Sequence, residues 1–275
     1  MPDYKEIKLY NGEVTILFNE AMHAYYLKGE KMKRLCGVTT YCGALNKPFL
    51  IPWAVNTTID YVRDHIELLQ NGSISGDSIL EMARQESDRI KEESADLGKA
   101  IHKWAEDYIM GRKPEMPDDE RTTLGVNSFL QWVDEEKVKF LWAEKVVYSR
   151  QYGYVGTADI GIEIKKKMYL TDIKTGNAIY PEVKLQTSAY TRALEEEKGK
   201  KFAGRWVLRL SKETEDEYYQ RLEKKGLKKI PPFKIFEAVM LDENPAEMDN
   251  DFKNFLHAMD LVNWQKEATK FFAKT

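Results

Sequence analysis

The stretch "YLTDIKTGN", residues 169–177, ends a strand-like run with Asp172 and Lys174 two positions apart, hence on one face of an extended chain. A carboxylate and an ammonium so placed are either solvated decoration at a strand end or the centre of an active site. Just upstream, "GTADIGIEI" alternates Ala158, Ile160, Ile162 and Ile164 on one side with Thr157, Asp159, Gly161 and Glu163 on the other. If a two-residue loop at Lys165 and Lys166 joins the two runs, Ile164 faces Lys167 and, along the ladder, Asp159 faces Asp172. A loop one residue longer or shorter breaks that pairing. In the paired register the two carboxylates carry Cβ atoms roughly 5 Å apart, a repulsive arrangement unless something neutralises it. A divalent cation does so most simply, because Mg²⁺ or Mn²⁺ takes carboxylate oxygens and completes its shell with water and phosphate. Two exposed acids at strand ends are the plainer alternative.

Two helical stretches flank this hairpin. In "LGKAIHKWAEDYIMG", His102 and Glu106 share a face, with Ile101, Trp104, Tyr108 and Ile109 supplying apolar bulk around it. A lone helical histidine is commonly structural, but an imidazole joining two carboxylates suits Mn²⁺ as well as Mg²⁺. In "PEVKLQTSAYTRAL", Gln186 and Tyr190 are likewise four apart, on a helix that starts a few residues after Lys174. Such polar residues are ordinary on helix surfaces; their place directly after the strand singles them out.

The elements that must hold these residues follow from periodicity. Residues 14–28 read as a hairpin around Asn19 to Met22. Pro52 to Leu69 has helical spacing ended by "NGS". Ser78 to about Met110 is helical with a break expected near Asp96 to Gly98, and another helix opens after Pro117. Then come strands at "VKFLWAEKVVYS", "YVGTADIGIEI" and "MYLTDI", a helix over Pro181 to Lys198, strands at "RWVLRLS" and "FKIFEAVML", and a helix from Pro245 to the end. The order predicts an α/β fold: a core sheet flanked by helices, with an N-terminal hairpin and helical subdomain over residues 1–95 and the core over 96–275.

With 43% apolar and 32% charged residues and no low-complexity tract, the chain of 275 residues has the composition of a globular protein. No stretch reads as a signal peptide or approaches the ~20 apolar residues of a membrane span, so a cytoplasmic protein is expected. The net charge of −3 speaks against a generally basic nucleic-acid coat, leaving local runs at Lys165 to Lys167, Lys198 to Lys201 and Lys224 to Lys229. Two cysteines, Cys36 and Cys42, are too few for a disulfide framework or a four-thiolate iron–sulfur cluster.

The ordered set of His102, Glu144, "GTAD" ending at Asp159, "DIK" from Asp172 to Lys174 and "QTSAY" from Gln186 to Tyr190 resembles the RecB-family nucleases of the PD-(D/E)xK superfamily, above all the stand-alone exonuclease-type proteins of phages and prophages. The match spans residues 102–190; the segment "HAYYLKGEKMKRLCGVTTYCGALNK" is a looser one. Ala158, not proline, precedes Asp159, and the four cluster cysteines of some relatives are absent. The resemblance implies a restriction-endonuclease-like core with a central mixed sheet and a divalent-metal-dependent DNA exonuclease. It implies one or two Mg²⁺ or Mn²⁺ ions and no iron–sulfur cluster. His102, Asp159, Asp172 and the Ile173 backbone carbonyl would ligate the metal, which polarises the phosphate and acidifies the attacking water. Lys174 would orient that water and stabilise transition-state charge. Glu144 would serve a second ion or a water beside it, and Gln186 and Tyr190 would position the site.

A phosphodiester hydrolase also needs cations and aromatic rings along its substrate. Arg150, Tyr152 and Tyr154 in "YSRQYGYVG", and Lys184 and Arg192 on the following helix, are the candidates. Lys47, Trp53 and Arg63 are candidates for a further channel wall, with a core role favoured for Trp53. The implied partners are linear duplex or single-stranded DNA and a phage recombination protein, in recombination, repair or genome processing. The oligomeric state stays open. Because the motif specifies hydrolysis and not end dependence, a structure- or flap-directed endonuclease is an alternative. A catalytically silent DNA-binding or assembly module is another, against which the intact Asp, Asp, Lys set argues.

Overall fold

The computed structural model describes residues 3–273 except 225, 228 and 243, with the backbone alone at 245. Two positions of the basic run over 224–229, and the last two of the C-terminal helix expected to reach the end, therefore lie outside the described residues.

The chain opens on β1 (Lys5–Leu9), β2 (Val14–Asn19), β3 (Ala24–Leu27) and β4 (Lys33–Arg34), an antiparallel sheet in chain order. The expected hairpin is β2–β3, with the Met22 N–H donating to Asn19 Oδ1 across its turn. β1 and β4 escape a periodicity reading because "KEIKL" and "KR" offer almost no apolar alternation. β5 (Cys36–Gly37) and α1 (Val38–Cys42) follow.

Next come α2 (Leu50–Asp64), α3 (Ile66–Gln70) and α4 (Gly76–Ile109). Pro52 sits in the first turn of α2, where no intrahelical donor is lost. The single helix expected over Pro52 to Leu69 is divided at His65, which leaves helical geometry and stacks on Tyr61. The break expected near Asp96 to Gly98 does not occur: α4 is continuous. One glycine in a helix interior costs only about 1 kcal/mol, no proline enforces a stop, and Lys99 pairs with Asp96 across the position.

The remaining elements are α5 (Glu120–Glu136), β6 (Lys139–Tyr148), β7 (Tyr154–Ile164), β8 (Lys167–Lys174), α6 (Glu182–Lys198), β9 (Gly204–Leu210), α7 (Glu215–Lys224), β10 (Phe236–Met240) and α8 (Pro245–Phe272). Asp119 caps α5, its Oδ2 accepting from the Thr122 N–H at 2.7 Å. Gly199 ends α6 at φ 66, its N–H returning to the Glu195 carbonyl. Among the described residues no helix is long and apolar enough to cross a membrane.

The chain divides into two compact units: one runs to Leu45 and resumes at His102, and the other is Asn46–Ile101. The N-terminal strands thus fall in one unit with the large sheet, and the helices that follow them form the other. Within the smaller unit, the Lys91 ammonium covers the half-buried Trp53 ring and Arg63 pairs with Asp60.

The large sheet of the other unit is mixed, with β10-β9-β8-β7-β6 in spatial order and β8 and β9 parallel. The expected central mixed sheet flanked by helices is present. The β7–β8 ladder runs from Ile164 opposite Lys167 to Ile160 opposite Thr171, so the loop is the two-residue one, with Lys165 and Lys166 at φ 49 and 63. Left-handed geometry at both loop positions matches the twist of a tight hairpin. β5 pairs parallel with Tyr154 and Val155. Since Tyr148 of β6 already occupies one edge of β7 at Val155, β5 takes the other edge, which further along belongs to β8.

Helices α1, α6 and α8 pack through a core of Tyr41, Tyr154, Ala158, Leu170, Ala189, Tyr190 and Phe255. A second core joins Leu9, Val14, Ile16 and Leu35 to Tyr148 and Val155. Arg205 of β9 is fully buried, bonded to Asp242, to Asp251 of α8 at 2.6 Å and to the Lys184 carbonyl of α6 at 2.7 Å.

Candidate active site

At the end of the β7–β8 ladder away from its turn, the two strands part. The last pair is Ile160 with Thr171; one step on, where Asp159 and Asp172 were expected to face each other, no ladder pair forms. Instead, the Asp159 carboxylate takes the Ile173 N–H, with Oδ2 accepting at 2.7 Å. Asp159 thus replaces a lost ladder bond with its own side chain, and the contact seen at Ile173 is through its N–H.

On the other edge of β7, Ala143 pairs with Ile160 and Lys145 with Ala158, which sets Glu144 across from Asp159. Glu144 itself has φ 45 inside a strand. Left-handed geometry at a non-glycine strand residue is strained, and such strain gathers at sites where a side chain must be re-aimed. Here it turns the carboxylate toward His102, which the last turns of α4 present. His102 Nδ1 lies 3.5 Å from Glu144 Oε1 and 3.8 Å from Asp159 Oδ2, and one ligand atom from each of the three falls within 4.8 Å of the others.

Asp172 is 1% exposed. Lys174 Nζ lies 2.6 Å from its Oδ2; beyond that ion pair neither carboxylate oxygen has a partner among the described residues. Lys174 also donates to Gln186 Oε1 at 3.3 Å, and Gln186 Nε2 donates to the Tyr190 hydroxyl at 3.2 Å. The two helix polars four apart therefore form a relay from α6 to the lysine. Tyr190 lies over Gly156, where a Cβ would come within 2.5 Å of its ring.

Burial dominates the electrostatics. It raises Asp172 to about 6 against the pull of Lys174, and Asp159 adds to the rise. Burial raises Asp159 as well, although His102 and Lys174 oppose it. For His102 burial lowers the pKa, but Asp159 and Glu144 outweigh it and hold the imidazole above its ordinary value. The Lys174 ammonium, pulled down by burial, is held up by Asp172 and Asp159. Burial lifts the Tyr190 hydroxyl well above its usual range.

One imidazole and two carboxylates whose ligand atoms lie within 4.8 Å of one another fit a hard divalent cation. His102, Glu144 and Asp159 are the closest donor set, with Asp172 adjacent and held to Lys174.

The other candidates are placed elsewhere. Tyr154 is fully buried, its hydroxyl donating to the Ala189 carbonyl, and Tyr152 packs against it and Phe252. Arg150 pairs with Glu13 and lies over the Tyr10 ring; Arg192 pairs with Glu195 and Asp249. Lys184 is half-buried on the first turn of α6. Glu106 turns to Lys103 and Arg112. Tyr25 was not anticipated, yet its hydroxyl lies 2.7 Å from that of Thr157, two residues before Asp159. The one signal for it in the sequence is the aromatic pair in "HAYYLK".

No protein-family model matches the chain, and no curated protein matches it. Among solved structures it is similar to an alkaline exonuclease, LHK-Exo, from Laribacter hongkongensis, at 10% identity over 59% of this chain and 80% of that one, with a TM-score of 0.31. It is also similar to LHK-Exo in complex with dAMP, at 12% identity over 65% and 93%, with a TM-score of 0.28. Likeness at this level carries neither a family nor a function to this chain.

Proposed function

We propose that the chain is a divalent-metal-dependent nuclease of the PD-(D/E)xK type that hydrolyses phosphodiester bonds at DNA ends, in phage-type recombination, repair or genome processing. The observation that carries the reading is the group of His102, Glu144 and Asp159, whose ligand atoms lie within 4.8 Å of one another, together with the buried Asp172–Lys174 ion pair on the adjoining strand. The order of these residues in the sequence, which resembles the RecB-family pattern, supports the same assignment.

In this reading His102, Glu144, Asp159 and Asp172 would hold Mg²⁺ or Mn²⁺. The cation supplies positive charge to a phosphate oxygen and renders a nearby water more acidic. The chain's own residues do the rest. Asp172 and Gln186 hold the Lys174 ammonium from two sides, so its charge is in place before the phosphate gains charge in the transition state. Tyr190 steers the Gln186 amide so that its oxygen faces the lysine. Asp159, fixed by the Ile173 N–H, is prevented from turning away.

The test is incubation of the purified protein with end-labelled linear duplex, single strands and closed circles, with Mg²⁺ or Mn²⁺, beside Asp172→Ala and Lys174→Ala. Linear DNA is degraded and circles survive; both variants lose roughly a hundredfold or more in rate. Nicking of circles would make the enzyme an endonuclease, and wild-type rates in both variants would remove the site.

A further inference from the structure

Thr157 ties the site to the N-terminal hairpin. Its hydroxyl is 2.7 Å from that of Tyr25 on β3, and Thr157 pairs with Val146, two residues from Glu144. Tyr25 belongs to a cluster of three rings. Phe18 is its cross-strand partner, with centroids 4.7 Å apart, and His23 stands edge-on to Phe18 at 5.4 Å and to Tyr25 at 6.3 Å.

The hairpin face opens toward its turn. Ile16 is fully buried in the core with Tyr148 and Val155, and the half-buried Leu27 and Tyr25 pack against that core. Phe18, the cross-strand partner of Tyr25, is half-buried, and His23 is exposed. His23 also has φ 44, a left-handed backbone. None of the three holds a cation or moves a proton in the proposed hydrolysis.

Part-exposed rings beside a phosphate site suit the flat faces of bases, and each stacked base raises affinity roughly 5- to 150-fold. We propose that Phe18, His23 and Tyr25 form a stacking platform for an unpaired nucleobase next to the scissile phosphate, so that the enzyme takes a single-stranded or frayed DNA end. The inference rests on the nuclease reading above and adds a substrate class to it. Tyr25 anchors the platform through Thr157, and His23 is its open edge.

The experiment uses a short single-stranded DNA carrying 2-aminopurine at each position near either end in turn, with Ca²⁺ replacing Mg²⁺ to suppress hydrolysis. Stacking quenches the 2-aminopurine fluorescence at one position in the wild type. The quench is lost in His23→Asn, which keeps a residue suited to the left-handed turn, and in Tyr25→Leu; it persists in Tyr25→Phe, which keeps the ring. Affinity for ordinary single strands falls about tenfold in the first two variants, and an abasic nucleotide at the quenched position removes that difference. Variants that bind, quench and cleave as the wild type does overturn the platform and leave the nuclease standing. A protein that binds no oligonucleotide overturns both.

Discussion

Arg205 and Asp172 are both shut away from water, 0% and 1% exposed, yet their surroundings treat charge differently. The Arg205 guanidinium is met by Asp242 and Asp251, and its last direction by the Lys184 carbonyl. It joins β9, α6 and α8 at one point. Asp172 has one ammonium, itself shared with Gln186, and feels the opposing charge of Asp159. A buried charge whose every direction is answered holds a fold together; one left partly unanswered among like charges is kept for a partner that arrives later.

The contrast is broken most directly at Arg205. Arg205→Ala strands two buried carboxylates and lowers stability by about 3 to 5 kcal/mol in urea unfolding. Asp172→Asn, measured the same way in EDTA, costs clearly less, since it removes a charge that the fold balances only in part, through Lys174. An equal loss in both would erase the distinction.

A smaller effect separates the two clusters by pH. Asp172, raised to about 6, Asp159, raised by burial, and His102, held up by its carboxylates, all keep protons in the folded chain that the unfolded chain releases. The stability they contribute is therefore complete at acid pH and is lost as pH rises, through about 6 for Asp172, at up to about 1.4 kcal/mol per unit and group. Without metal, the urea midpoint falls between about pH 4 and pH 7, less so in Asp172→Asn. Mn²⁺ restores more at the higher pH, because cation and proton compete for the same oxygens. A slope unchanged by Asp172→Asn would show that this carboxyl plays no part.

The smallest expected change is at Gly156, where Ala would press on the Tyr190 ring. A cost of about 1 kcal/mol is expected. Lys174 loses part of its support through Gln186, so kcat falls more than KM; unchanged kcat would detach the relay from the reaction.

Much of this was legible in the sequence. The two-residue loop and its register followed from alternation in "GTADIGIEI" and "MYLTDI", because one buried face fixes the pairing of a hairpin. Helical spacing put Gln186 and Tyr190 together; His102 lies beside Glu144 and Asp159, where an imidazole joining Asp159 and Asp172 was expected. What alternation could not supply was its own failure: the strands part at Asp159, and Glu144 takes a left-handed backbone that no propensity assigns to glutamate. The Arg205 cluster was equally hidden, since Arg205 lies 37 and 46 residues before its two aspartates. β5 was hidden too, because two residues carry no period.

That short strand puts a clock on assembly. Cys36 and Gly37 have no partners in the large sheet until Tyr154 and Val155 have been made, well over a hundred residues later. At about 5 to 20 residues per second of synthesis, the wait lasts roughly 6 to 24 s. In that interval the β1–β4 sheet, whose strands are neighbours in the chain, has time to close on its own, and so do the helices of Asn46–Ile101. The segment of Cys36 and Gly37 then docks onto a strand made well over a hundred residues after it.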